Sequence, residues 1–257
     1  MTVGVGRQIN LNFTTLAELL NAARDSNSFV VRTLVDITGF HENKVKGHQS
    51  WARAMGLVQD TKLTPLAYQL LERDPSLAQP LSRGICYVEL AANPDAEIAS
   101  HICRVILPKI AANGGMADTK EIVAMLISDG VGVTSKATQQ PQRDASLFLT
   151  SLHSVQGFGV LGLLHQAPSA RYSTGLSQLG PELTGYALQR WWPSGTAYLR
   201  LADVHHLLSP LLLHRERFLE DLAALERRGL VIRITSSGLD QVRPIAGIGA
   251  EEILWKN

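Results

Sequence analysis

Apolar residues in the first part of the chain follow the spacing of two helices joined by a tight turn. The first predicted helix runs from Phe29 to Gly39. The second runs from His41 to Met55, and its apolar face consists of Val45, His48, Ala52 and Met55. Gly56 marks its end, because glycine adopts the left-handed backbone conformation without strain.

A short extended segment and a third helix follow this pair. Leu57 and Val58 leave the second helix, and a turn from Thr61 to Thr64 precedes a helix predicted over Pro65 to Leu71. Proline suits the first turn of a helix, where its missing N–H has no partner to lose. Helix, turn, helix and short strand is the order typical of a winged helix-turn-helix.

The last part of the chain repeats this order with a clearer hairpin. Helices are predicted over Leu201 to Leu208 and Leu211 to Arg228, ending at Gly229. Residues Leu230 to Thr235 alternate as a strand, a turn follows at Ser236 to Gly238, and Gln241 to Ile245 returns. We predict an antiparallel β-hairpin here, in the position of a wing.

The middle of the chain carries the same pattern less clearly. Helices are predicted over Lys120 to Ile127 and Ala145 to Val155, and Arg171 to Ser173 is a possible wing strand. Gly157 and Gly159 break the pattern where the second helix ends. Whether this block is a third winged helix therefore stays open.

These patterns predict a mainly α protein built from tandem winged helix-turn-helix units with small β wings. The expected division is an N-terminal winged-helix domain over 1–75, a helical connector over 76–115, a middle helical or winged-helix-like domain over 116–190 and a C-terminal winged-helix domain over 191–257.

Charge and composition restrict the function. The 257 residues include 24 Lys and Arg against 23 Asp and Glu, so any surface for nucleic acid must be a local patch. The two cysteines, Cys86 and Cys103, cannot alone form a zinc site, and their apolar surroundings predict buried thiols. We see neither a signal peptide nor a membrane span, and we expect a cytoplasmic protein.

The first block also resembles a known family. Residues 37–58 followed by Leu63 to Leu66 are similar to an uncharacterised bacterial winged-helix family of defence islands, found beside DNA phosphorothioation and phosphoadenosine-phosphosulfate-reductase-like genes. The resemblance covers residues 30–90 and rests on Asn43, Val45, Trp51, Ala52, Gly56, Leu57 and Leu63 to Leu66. Ala67 stands where the family has glycine, and Glu42 departs from its basic approach. The resemblance implies a helper in a complex that modifies or guards DNA.

Catalytic and metal motifs are weak in this sequence. Gly157 to Gly162 matches the dinucleotide fingerprint, but a helix precedes it and Pro168 follows. Gly175 to Gly180 misses the spacing of a nucleophile elbow. The remaining candidates, His41, His48, His205, His206 and His214, have no supporting cysteines or carboxylates. We expect no cofactor, no metal and no enzymatic activity.

A recognition surface remains. On the helix from His41 to Met55 the face opposite the apolar stripe is expected to read DNA, and it carries Asn43, Lys44, Lys46, Gly47, Ser50 and Arg53. Arg233 and Arg243 are expected to point outward on neighbouring wing strands and contact the minor groove. Glu220 and Asp221 would repel DNA from the last long helix, which favours protein contact there.

The sequence therefore predicts a non-enzymatic subunit that binds or positions double-stranded DNA with modest affinity, together with other protein subunits, in a bacterial anti-phage defence or DNA-modification complex. Two alternatives stay open. One is a winged-helix adaptor that binds only protein, and the other is a stand-alone transcriptional regulator.

Overall fold

The computed structural model describes residues 9–132, 139–175, 179–236, 239–245 and 253–254, which are mainly helical with small antiparallel sheets. They fall into two units, 1–175 and 176–257. The first unit contains α1 (Phe13–Asp25), α2 (Val31–Thr38), α3 (Glu42–Ala54), α4 (Pro65–Arg73), α5 (Pro80–Ala92), α6 (Glu97–His101), α7 (Leu107–Ala112), α8 (Thr119–Ser128) and α9 (Gln139–His153). The second contains α10 (Pro181–Trp191), α11 (Leu201–Leu207) and α12 (Arg215–Arg227).

Eight short strands accompany these helices. They are β1 (Val58–Gln59), β2 (Lys62–Leu63), β3 (Met116–Ala117), β4 (Leu164–Gln166), β5 (Tyr172–Thr174), β6 (Leu199–Arg200), β7 (Val231–Ser236) and β8 (Leu239–Pro244). They form antiparallel sheets in the orders β1-β2, β3-β5-β4 and β6-β8-β7. The finer division into four domains stays a prediction.

The core of the first unit brings the segment around α1 together with the end of α9 and the turn that follows it. Phe13 of α1 packs edge-to-face against Phe158, with ring centroids 5.2 Å apart, and Phe158 packs against Tyr87 of α5 at 5.9 Å. The amide of Phe13 donates to the carbonyl of Gln156, and that of Leu11 donates to the Ser151 hydroxyl. The segment before α1 is thus fixed by residues about 140 positions later.

Arg83 of α5 holds the turn that follows α9. Its guanidinium is 8% exposed and donates to three backbone carbonyls, those of Leu77, Val155 and Gly157. It also lies 4.9 Å from the centre of the Phe13 ring. A buried cation requires such partners, because its loss of hydration is otherwise costly.

Helices α2 and α3 follow the sequence prediction, whereas strand β2 lies where a turn from Thr61 to Thr64 was predicted. Gly39 joins the two helices with a φ of +69°, and Gly56 ends α3 with a φ of +66°. The amide of Leu57 then donates back to the Ala52 carbonyl, which closes the last turn. Strands β1 and β2 pair Val58 with Leu63. Thr64 caps α4 by accepting from the amide of Ala67.

A π-helical turn over Ile102–Ile106 connects α6 to α7. The amide of Leu107 donates to the carbonyl of Ile102, five residues earlier. Pro108 provides the physical reason, because it has no N–H for the carbonyl of Arg104 and its ring crowds that carbonyl in a regular helix.

The middle block ends in a three-stranded sheet. The predicted strand at Arg171 to Ser173 is β5, and it pairs with β4 and also with β3. Helix α9 starts earlier than predicted, at Gln139, and ends at His153. Gly157 and Gly159 lie in the turn after it, where a Cβ would collide with the carbonyls of Ser151 and His153.

The second unit contains the predicted C-terminal hairpin. Helix α12 ends at Arg227, Gly229 follows with a φ of +67°, and β7 pairs with β8 from Val231 opposite Pro244 to Ser236 opposite Leu239. The predicted turn residues Ser237 and Gly238 lie outside the described residues. The long helix begins later than predicted, because a 3₁₀ turn and Leu212, with a φ of +53°, precede it.

Candidate nucleic-acid interface

Helix α3 places the predicted recognition residues at three levels of burial. Asn43 and Arg53 are exposed, Lys44, Lys46 and Ser50 are half-buried, and Gly47 is buried. The helix is anchored from its opposite face, where Val45, His48, Trp51 and Ala52 are buried. The apolar stripe of the sequence is therefore the packed face, and the charged residues face away from it.

The N-terminal end of α3 is fixed by a histidine cap. The Nδ1 atom of His41 accepts from the amide of Asn43 at 3.2 Å. Lys44, one turn further on, holds its ammonium 3.7 Å from the centre of the Phe40 ring. Sequence reasoning assigned His41 to the helix but did not identify the cap, since histidine is not among the usual capping residues.

Gly47 does not lie on the exposed face where the sequence placed it. A Cβ at this position would lie 2.9 Å from the Cβ of Ile9, so the segment before α1 packs directly on the helix backbone. Glycine is needed for this close approach. Gly47, which the sequence placed on the face expected to read DNA, is corrected to an internal contact with the segment before α1.

Two of the three cations on α3 have internal partners. The ammonium of Lys46 lies 2.5 Å from the carboxylate of Glu42, and this hydrogen bond and charge lower the pKa of Glu42. Arg53 donates to the backbone carbonyl of Asp60 at 2.8 Å, which ties α3 to the turn between β1 and β2. Glu42, Arg53 and Asp60 are exposed and Lys46 is half-buried, so a phosphate can compete with these contacts at little cost.

The turn between β1 and β2 is fixed on a second side. The carbonyl of Thr61 accepts from the amide of Phe29 at 2.7 Å, immediately before α2. Lys62, which follows it, is exposed. The hairpin therefore holds a further cation in a defined place beside α3.

Arg233 and Arg243 do not share an outward face. Arg233 is opposite Val242 in the register, so Arg243, one residue on, points to the other side of the hairpin. Arg233 forms two hydrogen bonds with the carboxylate of Asp240, at 2.9 and 2.8 Å, and these hold the pKa of Asp240 below its usual range. Arg243 lies 5.5 Å from the Tyr198 ring centre.

Helix α12 differs from α3 in the charges that it exposes. Glu216 and Glu220 are exposed, whereas Asp221 is 2% exposed and accepts from the Thr184 hydroxyl at 2.6 Å. Burial raises the pKa of Asp221, although Thr184 and Arg217 oppose this. Asp221 therefore does not repel DNA directly, as the sequence suggested, while the glutamates leave the exposed face acidic.

His205 is held by protein contacts, and both cysteines are buried. Nε2 of His205 lies 3.3 Å from the Leu213 carbonyl, and its ring packs against Phe218 at 4.9 Å. No group of three or more His, Cys, Asp or Glu among the described residues could hold a metal ion. Burial raises the pKa of Cys103 to about 12 and that of Cys86 further. Part of the Gly175 to Gly180 motif, 176–178, lies outside the described residues.

Comparison with known proteins gives a fold and no family. No protein-family model matches the sequence, and no curated protein matches it. No helix among the described residues is long and apolar enough to cross a membrane.

Two crystal structures share the fold of this chain. Magnesium-ion-bound SspB gives a TM-score of 0.73 at 13% sequence identity, covering 96% of this chain and 84% of its own. A second crystal structure of SspB gives a TM-score of 0.72 at 12% identity, covering 99% of this chain and 88% of its own. At these identities the similarity establishes a shared fold.

Proposed function

We propose that this protein is a non-enzymatic subunit that binds or positions double-stranded DNA in a bacterial defence or DNA-modification complex. The observation that carries the proposal is α3, whose N-terminal end follows a glycine-ended helix and carries the exposed Asn43 and the half-buried Lys44 on the side away from the core. Lysine and asparagine at the start of a recognition helix are common readers of phosphates and base edges.

The context of this role has two supports. The fold shared with SspB supports a connection with DNA modification or defence. The resemblance of residues 30–90 to a family of defence islands points the same way. The tandem winged-helix arrangement belongs to the proposal, and the order α2, α3, β1, β2 and the order α11, α12, β7, β8 support it.

The cations beside α3 limit the strength of binding. Lys44, Lys46, Arg53 and Lys62 are four candidates for phosphate contacts. Each contact adds about 0.9 to the steepness of log affinity against log salt, so a slope no steeper than about −3.6 is expected. Binding by the isolated protein is then modest, and partner subunits supply the rest through avidity.

The test is fluorescence anisotropy on duplex DNA at several salt concentrations. We expect Lys44→Glu combined with Lys46→Glu to remove binding while circular dichroism stays unchanged, since neither side chain lies on the packed face. The matched control is Arg24→Glu combined with Lys120→Glu, which changes the net charge equally at exposed sites away from α3. If both double variants lost DNA affinity equally, the effect would be due to overall charge, and α3 would not be the helix that contacts DNA.

A protein-binding adaptor is the second candidate, and α12 favours it. Among the described residues of the second unit, the exposed Glu216 and Glu220 of this helix repel phosphates, and Asp240 already pairs with Arg233, so this surface suits a protein better than DNA. Absence of wild-type DNA binding at low salt would favour the adaptor over the DNA-binding subunit.

A further inference from the structure

A pocket of about 270 Å³ lies beside the π-helical turn of the first unit, away from the residues proposed to bind DNA. Its lining residues are Pro94, Glu97, Ser100, His101, Arg104, Val105 and Val131. It is open, and its volume is near the lower end for small-molecule sites, which suits one planar ring system.

Internal hydrogen bonds leave only part of its polar lining available. The hydroxyl of Ser100 donates to the Ala91 carbonyl. Nε2 of His101 lies 2.8 Å from the Asp129 carboxylate, which Lys109 also contacts at 3.2 Å. These bonds fix the orientation of His101 and leave its Nδ1 for a ligand.

Glu97 and Arg104 are the charged groups that remain. Neither forms an ion pair or side-chain hydrogen bond with another residue in the part of the chain that the structure describes. They are seven residues apart on the helical stretch that contains the π-helical turn, and they line the same pocket. Glu97 only accepts hydrogen bonds and Arg104 only donates them.

This arrangement selects the chemistry of the ligand. A ligand must offer donors to Glu97 and acceptors to Arg104, and its flat faces must suit Pro94, Val105 and Val131. A phosphate fits poorly, because Glu97 places a carboxylate in the lining and the Asp129 carboxylate lies directly behind His101. Guanine has donors at N1 and N2 on one edge and acceptors at O6 and N7 on another.

We propose that this pocket binds a guanine base, with Glu97 accepting from its N1 and N2 groups and Arg104 donating to O6 and N7. The ligand is either a free guanine nucleoside or an unpaired guanine in a nucleic-acid strand. The inference goes beyond the proposed function, because it needs no residue of α3.

The test is a ligand-observed NMR titration of the full chain with 2′-deoxyguanosine and 2′-deoxyadenosine. We expect saturable binding of deoxyguanosine that is at least about tenfold tighter than that of deoxyadenosine. Glu97→Ala and Arg104→Ala should each weaken it at least about fivefold. Glu18→Ala and Arg24→Ala, the same changes at exposed positions of α1, should leave it unchanged.

Two modified ligands separate direct contact from structural effects. 7-Deaza-2′-deoxyguanosine lacks the N7 acceptor, so the wild type should bind it more weakly than deoxyguanosine. The Arg104→Ala variant has already lost the contact with N7 and should bind the two ligands equally. Deoxyinosine lacks the N2 amine, so the wild type should bind it more weakly than deoxyguanosine, and Glu97→Ala should bind the two ligands equally. The proposal would be overturned if the affinity lost through the modified ligand added to the affinity lost through the substitution, or if the wild type showed no preference for guanine.

A third arm distinguishes the two sources of the base. Duplexes with one bulged guanine, one bulged adenine or no bulge are compared using the Lys44→Glu, Lys46→Glu variant, so that contacts at α3 do not mask the pocket. Preference for the guanine bulge, lost in Arg104→Ala, assigns the site to an unpaired guanine in a strand. Deoxyguanosine binding without that preference assigns it to a free nucleoside.

Discussion

Asp74 is a buried carboxylate whose hydrogen bonds outweigh the effect of its burial. It is 3% exposed and accepts from the amide of Gln79 at 2.8 Å and from the hydroxyl of Ser76 at 2.9 Å. Burial alone would raise its pKa, but these donors hold the pKa below its ordinary value of 3.8. Its contribution to stability is therefore present above pH 4 and is lost as the pH falls through the lowered pKa.

We expect Asp74→Asn to lower the free energy of unfolding by about 1–3 kcal/mol at pH 7, because the amide accepts these hydrogen bonds more weakly than the carboxylate does. Urea unfolding at pH 7 and pH 3 measures this, and the difference from the wild type should shrink at pH 3. Asp25→Asn, at an exposed site, is the control. A difference that stays constant with pH would contradict the role of the charge.

His48 on the packed face of α3 is a second group through which a fall in pH lowers stability, but at higher pH than Asp74. It is 1% exposed, and its Nδ1 lies 2.9 Å from the carbonyl of Lys44. Burial lowers its pKa from 6.5, although the bond to Lys44 opposes this. The unfolded chain then takes up a proton first, so stability falls as the pH decreases below 6.5.

We expect this loss to approach, at most, about 1.4 kcal/mol per pH unit below 6.5. His48→Gln keeps a donor for the Lys44 carbonyl and should reduce the dependence of the melting temperature on pH between 7 and 5. His165→Gln, at an exposed position, should not. Identical pH profiles for the wild type and His48→Gln would show that another group titrates.

At the scale of elements, the contact of Gly47 with Ile9 couples α3 to the segment before α1. Alanine in a helix is usually about 1 kcal/mol more favourable than glycine. Here we expect Gly47→Ala to destabilise the protein, because its Cβ would lie 2.9 Å from the Cβ of Ile9. In an Ile9→Gly background, which removes that Cβ, the same change should stabilise it.

A double-mutant cycle on urea unfolding measures this coupling. A Gly47→Ala variant that is more stable than the wild type would show that the segment moves aside without cost.

Helices with long apolar stripes were predictable, and short strands were not. The expected helix from His41 to Met55 agrees with α3 within one residue at each end, and the strands of the C-terminal hairpin agree within two residues. Strands β3 and β6 were missed, because two residues carry no periodicity and their partners lie far along the chain. The break at Leu212 was missed because its left-handed conformation is unusual for leucine.

The candidate interface was predictable only as a helix face. Periodicity separates the packed side of α3 from Asn43 and Lys44, and this was enough to predict that both lie on the side of the helix away from the core. It does not reveal that Ile9 covers Gly47 or that Asp240 engages Arg233. Those contacts depend on the path of other segments, which a local pattern does not contain.

At the scale of the whole molecule, both cysteines belong to the first unit. Cys86 and Cys103 are fully buried, and burial raises the pKa of each thiol. A thiol reacts as its thiolate, so both should be inert towards a disulfide reagent in the native protein.

We expect two thiols to react per chain, together, at the urea concentration that unfolds the first unit. Circular dichroism followed in parallel provides the reference transition. Rapid reaction of either thiol without urea would show that the first unit opens locally around it.

The contacts that close the first unit have a consequence for its synthesis. Phe13 is covered by Phe158, and Leu11 donates to Ser151, so α1 has no complete core until the ribosome has added these residues. At roughly 5–20 residues per second, the nascent N-terminus waits on the order of ten seconds with its apolar face uncovered. Chaperone capture of ribosome-bound chains should therefore be strongest before residue 158 emerges, and chains stopped at residue 75 should aggregate.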